Sequence, residues 1–418
     1  MESRVVDRGW GVRPPHGPTI IPHHERKLLG ADTANTGVLM TDPFIVDAVR
    51  TPFGDHGGEL SDVHPQDLAA EPLQALRDRN EFAPETIEDV IYGCVTPVDE
   101  QGLNVGRLAP MVAGWGDGVP GVQLNRMCGS GQQAVNFGAA NVASGMHDVL
   151  IAGGVEHMTR VPMGSDGDSV TDTYFEYFDE LTTQGEGAER VAEQWDITRE
   201  EVDELAVDSQ QRWKAAWDDG RYDDQVVPVE RDDGTVVRRD GHPRPDSTVE
   251  SLSEIPLSFR EEGNGIHHAG NSSGIVDGSS ALLLAGEDAV AEHDWEPMAR
   301  VVETSVVGVD PVKMLTGPIP ATERVLEKAG LGVEDIDLFE VNEAFASVVL
   351  AWLDETGAEW ARTNVNGGAI AHGHPLGATG AALVTKMVHE LDRTGQDRAL
   401  VTMCIGFGQG IATILERT

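Results

Sequence analysis

From residue 42 onward the hydrophobic positions fall into two alternating rhythms. Short, nearly continuous apolar runs predict strands at 44–49 (FIVDAV), 90–95 (VIYGCV), 148–154 (DVLIAGG), 338–342 (LFEVN) and 399–404 (ALVTMC). Apolar residues at three-to-four spacing predict helices over 65–80 (PQDLAAEPLQALRDRN) and 321–330 (ATERVLEKAG). Strands that alternate with helices in this way indicate an α/β architecture.

The pattern occurs twice. APETIEDVIYG (83–93) is echoed by GVEDIDLFEVN (332–342), with Ile87 matching Ile336. VQLNRMCGSGQQAV (122–135) and TNVNGGAIAHGHPLGATGAAL (363–383) both run from a strand through a glycine turn into a helix of small residues. HDVLIAGGVEHM (147–158) and DRALVTMCIGFGQG (397–410) are both buried strands that end in a glycine bend. Such self-similarity predicts two related halves, 40–159 with about 274–297 and 298–418, separated by an insertion at 160–273. The insertion is polar and acidic. Its one clear helix has a capping box of Thr198 and Glu201, an apolar face of Val202, Leu205, Ala206, Trp213 and Ala216, and Gly220 at its end. The rest of it reads as a loop-rich lid or cap. Residues 1–39 follow neither rhythm and read as a disordered extension, or as sequence ahead of a start at Met40. His23, His24 and Glu25 could hold a metal there, but a solvated tail is the simpler reading.

Charge changes the picture of the surface. The 418 residues include 71 Asp and Glu against 30 Lys and Arg, a formal net charge of -41. Self-repulsion on that scale opposes a compact state in dilute buffer, whereas at molar salt the Debye length falls to ~3 Å. The scattered acids and rare lysines suggest a protein of a salt-loaded cytoplasm, with an acidic protein of ordinary salt as the alternative. Nucleic acid and anionic membrane are poor partners for either. No apolar run approaches the ~18–20 residues that span a bilayer. Three cysteines, Cys94, Cys128 and Cys404, without a secretory signal favour a reducing interior over a disulfide framework.

Four positions could carry chemistry. Cys128 precedes a glycine turn and an apolar, buried helix, whose unpaired N–H groups and positive dipole end would depress a thiol pKa. The competing reading is a small buried hydrophobe. His374 occupies in the second half the position that Cys128 holds in the first, so the two helix starts would face each other as base and nucleophile. His372, two residues earlier, would complete a zinc-binding pair, but no third ligand lies near. Cys404, on a glycine bend after a buried strand, fits a core residue, a disulfide partner or an acid/base. Asn342 stands at a strand end, where asparagine is most often a turn or cap residue.

These pieces, in this order, resemble the thiolase family of coenzyme A-dependent acyltransferases. The likeness runs from about residue 42 to the C-terminus through DAVRTPFG (47–54), LNRMCGSGQQA (124–134), AGGVEHM (152–158), DGHPRPDSTVESL (240–252), AGNSSGIVDGSSALLL (269–284), VNEAFA (341–346), NGGAIAHGHPLGATG (366–380) and CIGFGQG (404–410). It implies a five-layered α-β-α-β-α fold of two pseudo-symmetric halves, usually assembled as a homodimer or homotetramer. It implies acyl-CoA and CoA as substrates, with no metal and no bound cofactor. It also implies roles. Cys128 is the nucleophile that becomes acylated. His374 takes its proton and lines one oxyanion hole, where Asn342 holds a water. Cys404 moves the proton of the substrate's α-carbon. The N–H groups of Cys128 and Gly406 form a second oxyanion hole. Ser273, Phe259, Met158 and Phe345 line the pantetheine and substrate tunnel.

The chain departs from the family pattern in places. Phe407 stands where glycine is usual, QGEGAERVA (184–192) replaces a methionine-led segment, and His267 and His268 stand where valine and threonine are common. The two histidines are read as non-catalytic. The phosphates of CoA need local cations in so acidic a chain; Arg238, Arg239 and Arg244 of the insertion are the candidates, with ordinary surface arginines as the competing reading. Two further functions share the fold. A ketoacyl synthase-like condensing enzyme would use two histidines and lack Cys404. A non-catalytic lipid-carrier or scaffold subunit would have lost part of the set Cys128, Asn342, His374 and Cys404.

Overall fold

The computed structural model describes residues 41–167 and 169–418. The extension expected at 1–39, with its histidine pair, lies outside the described residues. The first strand, β1 (Phe44–Arg50), is buried from Ile45 on. After the two-residue β2 (Gly54–Asp55) comes α1 (Pro65–Asn80), the helix expected from its apolar spacing. His64 Nδ1 accepts the Gln66 N–H, Pro65 occupies the first turn, and Glu81 closes the helix in the left-handed conformation. Then follow β3 (Asp89–Gly93), α2 (Val105–Val112), β4 (Val122–Leu124), α3 (Ser130–Ala143) and β5 (Val149–His157).

The insertion carries α4 (Gln184–Gln194), α5 (Arg199–Asp218), the ribbon strands β6 (Val229–Glu230) and β7 (Val236–Val237), and α6 (Val249–Ser253). α5 is the helix read from Thr198 and Glu201, and both reciprocal capping bonds form. α4 is an addition: glycines at 185 and 187 mask its period in the sequence. The chain returns through β8 (Val276–Ala285) and α7 (Glu287–His293). It ends with β9 (Ala299–Gly308), α8 (Pro318–Ala329), β10 (Leu338–Val341), α9 (Ala346–Thr356), α10 (Ala369–His372), α11 (Leu376–Thr394), β11 (Arg398–Ile405) and β12 (Gln409–Arg417).

The large sheet has the order β10-β11-β12-β9-β1-β8-β5-β3-β4. From its middle outward one order occurs twice, as β1-β8-β5-β3 and as β9-β12-β11-β10. The pairing senses match as well. β3 with β5 and β10 with β11 are parallel, and the other corresponding pairs are antiparallel. β1 and β9 join over only Phe44–Arg300 and Ile45–Ala299. One apolar cluster lies between α1, α2 and the first set of strands, another between α8, α9 and the second set. α3 and α11 pack against each other and against strands of both sets, in a central apolar layer. A Cβ on Gly131 would lie 2.7 Å from Gly377 O, and one on Gly380 would lie 2.3 Å from Gln132 N. Only glycine lets these two helices approach so closely. Their shared packing brings their N-terminal ends together.

Candidate active site

Cys128 stands two residues ahead of Ser130, the first residue of α3, and His374 stands two residues ahead of Leu376, the first of α11. The turn that presents Cys128 is tied by Ser130 Oγ, which accepts the Arg126 N–H at 2.8 Å and donates to Met127 O at 2.6 Å. Cys128 is 9% exposed and packs with Val95, Met158, Leu376, Met403 and Ile405. Burial pushes its thiol up to about 11, against the hydrogen-bonding pull of the N–H groups of Gly406 and of Cys128 itself, and the nearby Glu156 adds to the rise. The sequence-based expectation of a depressed thiol is therefore reversed. The helix field fades within its first turn, and Cys128 lies outside that turn, so desolvation prevails.

His374 is buried, which moves its imidazole down to about 4. Thr379 Oγ1 donates to Pro375 O at 3.0 Å, so it accepts from His374 Nδ1–H at 2.6 Å. Nε2 therefore carries the lone pair that can act as a base, and it accepts one long hydrogen bond, from Asn342 Nδ2 at 3.4 Å. Asn342 follows β10 and is anchored through its N–H to Thr402 O at 3.0 Å. Its Oδ1 is buried and has no partner among the described residues. Cys404 lies within β11, opposite Gly410 of β12, and packs with Ala344, Phe345 and Met314. Burial pushes its thiol up, and the charge that Cys128 would carry pushes it further, so the two sulfurs sense one another. Two neutral thiols and one neutral imidazole are thus buried at the neighbouring helix starts and the adjoining strand.

Rapid alkylation at neutral pH is therefore not expected of Cys128. The rate constant for iodoacetamide should keep rising through pH 9–10, as expected for a thiol raised to about 11 by burial. A plateau below pH 7, read by mass spectrometry of the Cys128 peptide, would instead reveal a preformed thiolate.

The other residues read from the sequence take several positions. Met158 packs beside Cys128. Phe345 packs beside Cys404 and stands edge-on to Phe259 at 5.6 Å and to His267 at 5.5 Å. Ser273 donates its N–H to Ala344 O at 2.9 Å. His267 bonds Ser347 Oγ at 2.8 Å and His268 bonds Asp203 Oδ1 at 2.7 Å, so both histidines are buried structural ties. His372 Nδ1 donates to Gly373 O at 2.8 Å and takes no part in the cluster. Arg239 lies over the rings of Trp213 and Trp217, and Arg244 is engaged by Asp55 and the Gly241 and Pro243 carbonyls. Arg238 is exposed. Among the described residues no group of three His, Cys, Asp or Glu side chains could hold a metal ion.

Glu156 was missed by the sequence reading. Fully buried, it accepts the N–H groups of Val95 (2.8 Å), Thr96 (3.1 Å) and Gly377 (2.9 Å), and Gln101 Nε2 at 2.9 Å. It links the loop after β3 to the start of α11, the helix that follows His374. A glutamate inside an otherwise apolar strand, AGGVEHM, was the signal available.

The Gly406 loop is a tight hairpin in which Ile405 pairs with Gln409. Within it Phe407 has φ 60° and is 45% exposed. Left-handed backbone costs a bulky residue roughly 1–2 kcal/mol, partly offset by the greater chain entropy that glycine loses on folding. Phe407→Gly should therefore raise unfolding stability by roughly 0.5–1 kcal/mol in denaturant titration. A loss of stability would mean that the ring contributes packing that outweighs the strain.

The paired half-sheets, the two facing helix starts and the thiol–imidazole–thiol cluster define an acyl-transfer enzyme. Residues 43–288 match the thiolase N-terminal domain family and residues 295–417 the thiolase C-terminal domain family. The chain is 44% identical over 394 residues to a steroid 3-ketoacyl-CoA thiolase of Mycobacterium tuberculosis, covering 91% of this chain and 95% of that protein. It is 44% identical over 405 residues to a 3-oxoadipyl-CoA/3-oxo-5,6-dehydrosuberyl-CoA thiolase of Escherichia coli, covering 90% and 100%. The crystal structure of human mitochondrial 3-ketoacyl-CoA thiolase in complex with CoA superposes with a TM-score of 0.83 at 39% identity, over 91% of this chain and 99% of that one. The chain belongs to the thiolase family and is a CoA-dependent acyltransferase.

Proposed function

We propose that this enzyme cleaves 3-ketoacyl-CoA by thiolysis, and runs the reverse condensation of acyl thioesters, through an acyl group carried on Cys128. The convergence of Cys128, His374, Asn342 and Cys404 carries this reading. Cys128 Sγ attacks the ketone carbon as its proton passes to His374 Nε2. The developing oxyanion is met by donors at His374 and at a water held by Asn342. The bond between the ketone carbon and the α-carbon then breaks. Its electron pair goes to the α-carbon, which takes the Cys404 proton and leaves as acetyl-CoA. The Cys404 thiolate accepts the proton of an incoming CoA thiol, whose sulfur attacks the acyl-enzyme while the N–H groups of Cys128 and Gly406 hold the oxyanion. Cys128 departs and recovers its proton from His374. Neutral thiols suit this sequence, because each charge arises only as its partner reacts.

Met158, Phe345, Phe259 and Ser273 are the proposed tunnel wall. For the CoA phosphates, Arg238 is the freest of the three arginines, since Arg239 and Arg244 already have partners. No described helix is long and apolar enough to cross a membrane. A homodimer or homotetramer is the proposed assembly, supported by the terminal position of β4 in the sheet and the exposure of Val122 on it. A cytoplasm rich in salt is the proposed setting. The net charge of -41 predicts a melting temperature that climbs from ~0.1 M to molar KCl as repulsion is screened. An equal climb in uncharged osmolyte would assign the effect to solvent exclusion instead. The direct test incubates the protein with acetoacetyl-CoA and CoA in molar KCl. Loss of substrate, formation of acetyl-CoA and an acetylated Cys128 peptide are expected, and absence of all three refutes the reading.

A further inference from the structure

Gln184 is the first residue of α4, in the segment where the family pattern is led by methionine. A Cβ built on Gly406 would lie 2.9 Å from Gln184 Nε2, with Met127 Cγ next at 3.6 Å. The carboxamide therefore rests against the loop whose Gly406 N–H faces the Cys128 sulfur. Its neighbour Gly185 is pressed onto Phe259, since a Cβ there would fall 2.1 Å from the ring. Phe259 in turn stands edge-on to Phe345, beside Cys404. Gln184 thus lies between the Gly406 loop and a neighbour, Gly185, that Phe259 covers. Its amide makes no hydrogen bond to another described residue.

We infer that Gln184 is a specificity-determining residue that selects 3-ketoacyl thioesters whose acyl chain carries an oxygen function a few carbons beyond the reacting ketone. This rests on the thiolase reading above. Gln184 is half-buried, so water can reach its side chain. An acyl chain that covers it strips that water away. A hydrocarbon chain offers nothing in return and leaves a polar group unpaired, whereas a hydroxyl, ketone or carboxylate oxygen on the chain accepts the Nε2–H. Sites that pair with a substrate oxygen discriminate strongly against analogues that lack it. A methionine at this position would favour the hydrocarbon chain.

The test compares kcat/KM for thiolysis of four six-carbon 3-ketoacyl-CoA esters, in molar KCl. One ends in methyl, two carry a hydroxyl at C5 or C6, and one ends in carboxylate. The wild type should prefer the best oxygenated ester over the methyl-ended one by roughly tenfold or more, and Gln184→Met should cut that ratio at least fivefold. Gln184→Glu should retain turnover of the hydroxylated esters and lose the carboxylate-ended one, which separates neutral from anionic oxygen. A wild type that favours the methyl-ended ester, or a ratio unchanged in Gln184→Met, overturns the assignment. Circular dichroism and acetylation of Cys128 by acetyl-CoA verify that each variant is folded and competent. Absence of any Cys128-dependent thiolysis in the wild type would instead overturn the thiolase reading itself.

Discussion

Cys128→Ala should abolish thiolysis, with kcat/KM for acetoacetyl-CoA falling by at least about four orders of magnitude. No neighbouring group can replace it. Cys404 is a buried thiol pushed up further by the charge of Cys128, and it lies within a strand rather than at a helix start. The companion variants should fail in distinguishable ways. Cys404→Ala should still take an acetyl group from acetyl-CoA onto Cys128, more slowly than the wild type, because a CoA thiolate can leave, and attack again, without Cys404 to carry its proton. It should not cleave a carbon–carbon bond, because the departing α-carbon has no proton source. His374→Ala should slow both processes, by ~10²–10⁴-fold, as expected for loss of a positioned base. Isotope exchange between acetyl-CoA and labelled CoA reads the first process and acetoacetyl-CoA consumption the second. If Cys404→Ala lost both equally, the division of labour between the thiols would be wrong. Full activity in Cys128→Ala would remove the nucleophile from the mechanism altogether.

How much of this was legible beforehand depended on whether a feature is local. α1 begins and ends where its apolar spacing and Pro65 predict, and α5 where Thr198 and Glu201 do. The repeat carried more: it implied that Cys128 and His374 hold equivalent positions, and both stand two residues ahead of a helix. The ionisation of Cys128 was not legible, because desolvation depends on Val95, Met158, Leu376 and Ile405, which converge from four distant segments. Glu156 was hidden for the same reason, since its partners at 95, 96, 101 and 377 are scattered along the chain. Arginine in a loop likewise says nothing of its neighbours. Arg239 and Arg244 look like cations awaiting a phosphate until Trp213, Trp217 and Asp55 are seen beside them.

The same insertion segment holds the residue whose loss should cost the fold most. Asp240→Ala should destabilise the protein by about 3–5 kcal/mol, the range seen when one partner of a buried ion pair is removed. Arg50 and Asp240 are both shut off from solvent, with guanidinium contacts of 2.7 and 3.0 Å to the two carboxylate oxygens. The carboxylate also accepts the Phe53 N–H at 2.8 Å and Trp213 Nε1–H at 3.0 Å. Burial by itself would raise the Asp240 carboxyl, yet the adjacent Arg50 charge holds it below the usual range. One side chain thus ties β1, the turn at Phe53 and α5 together, and its removal leaves a full positive charge uncompensated inside. Asp240→Asn keeps an acceptor and the shape, so it should lose less than alanine does. Replacing the pair together, Arg50→Met with Asp240→Leu, should recover much of the loss, because no buried charge then remains. Screening hardly reaches a buried pair, so the alanine variant should show the same dependence of melting temperature on KCl as the wild type, displaced downward at every concentration. A variant rescued by salt alone would place Asp240 among the repelling surface acids rather than at the joint between the insertion and the first half.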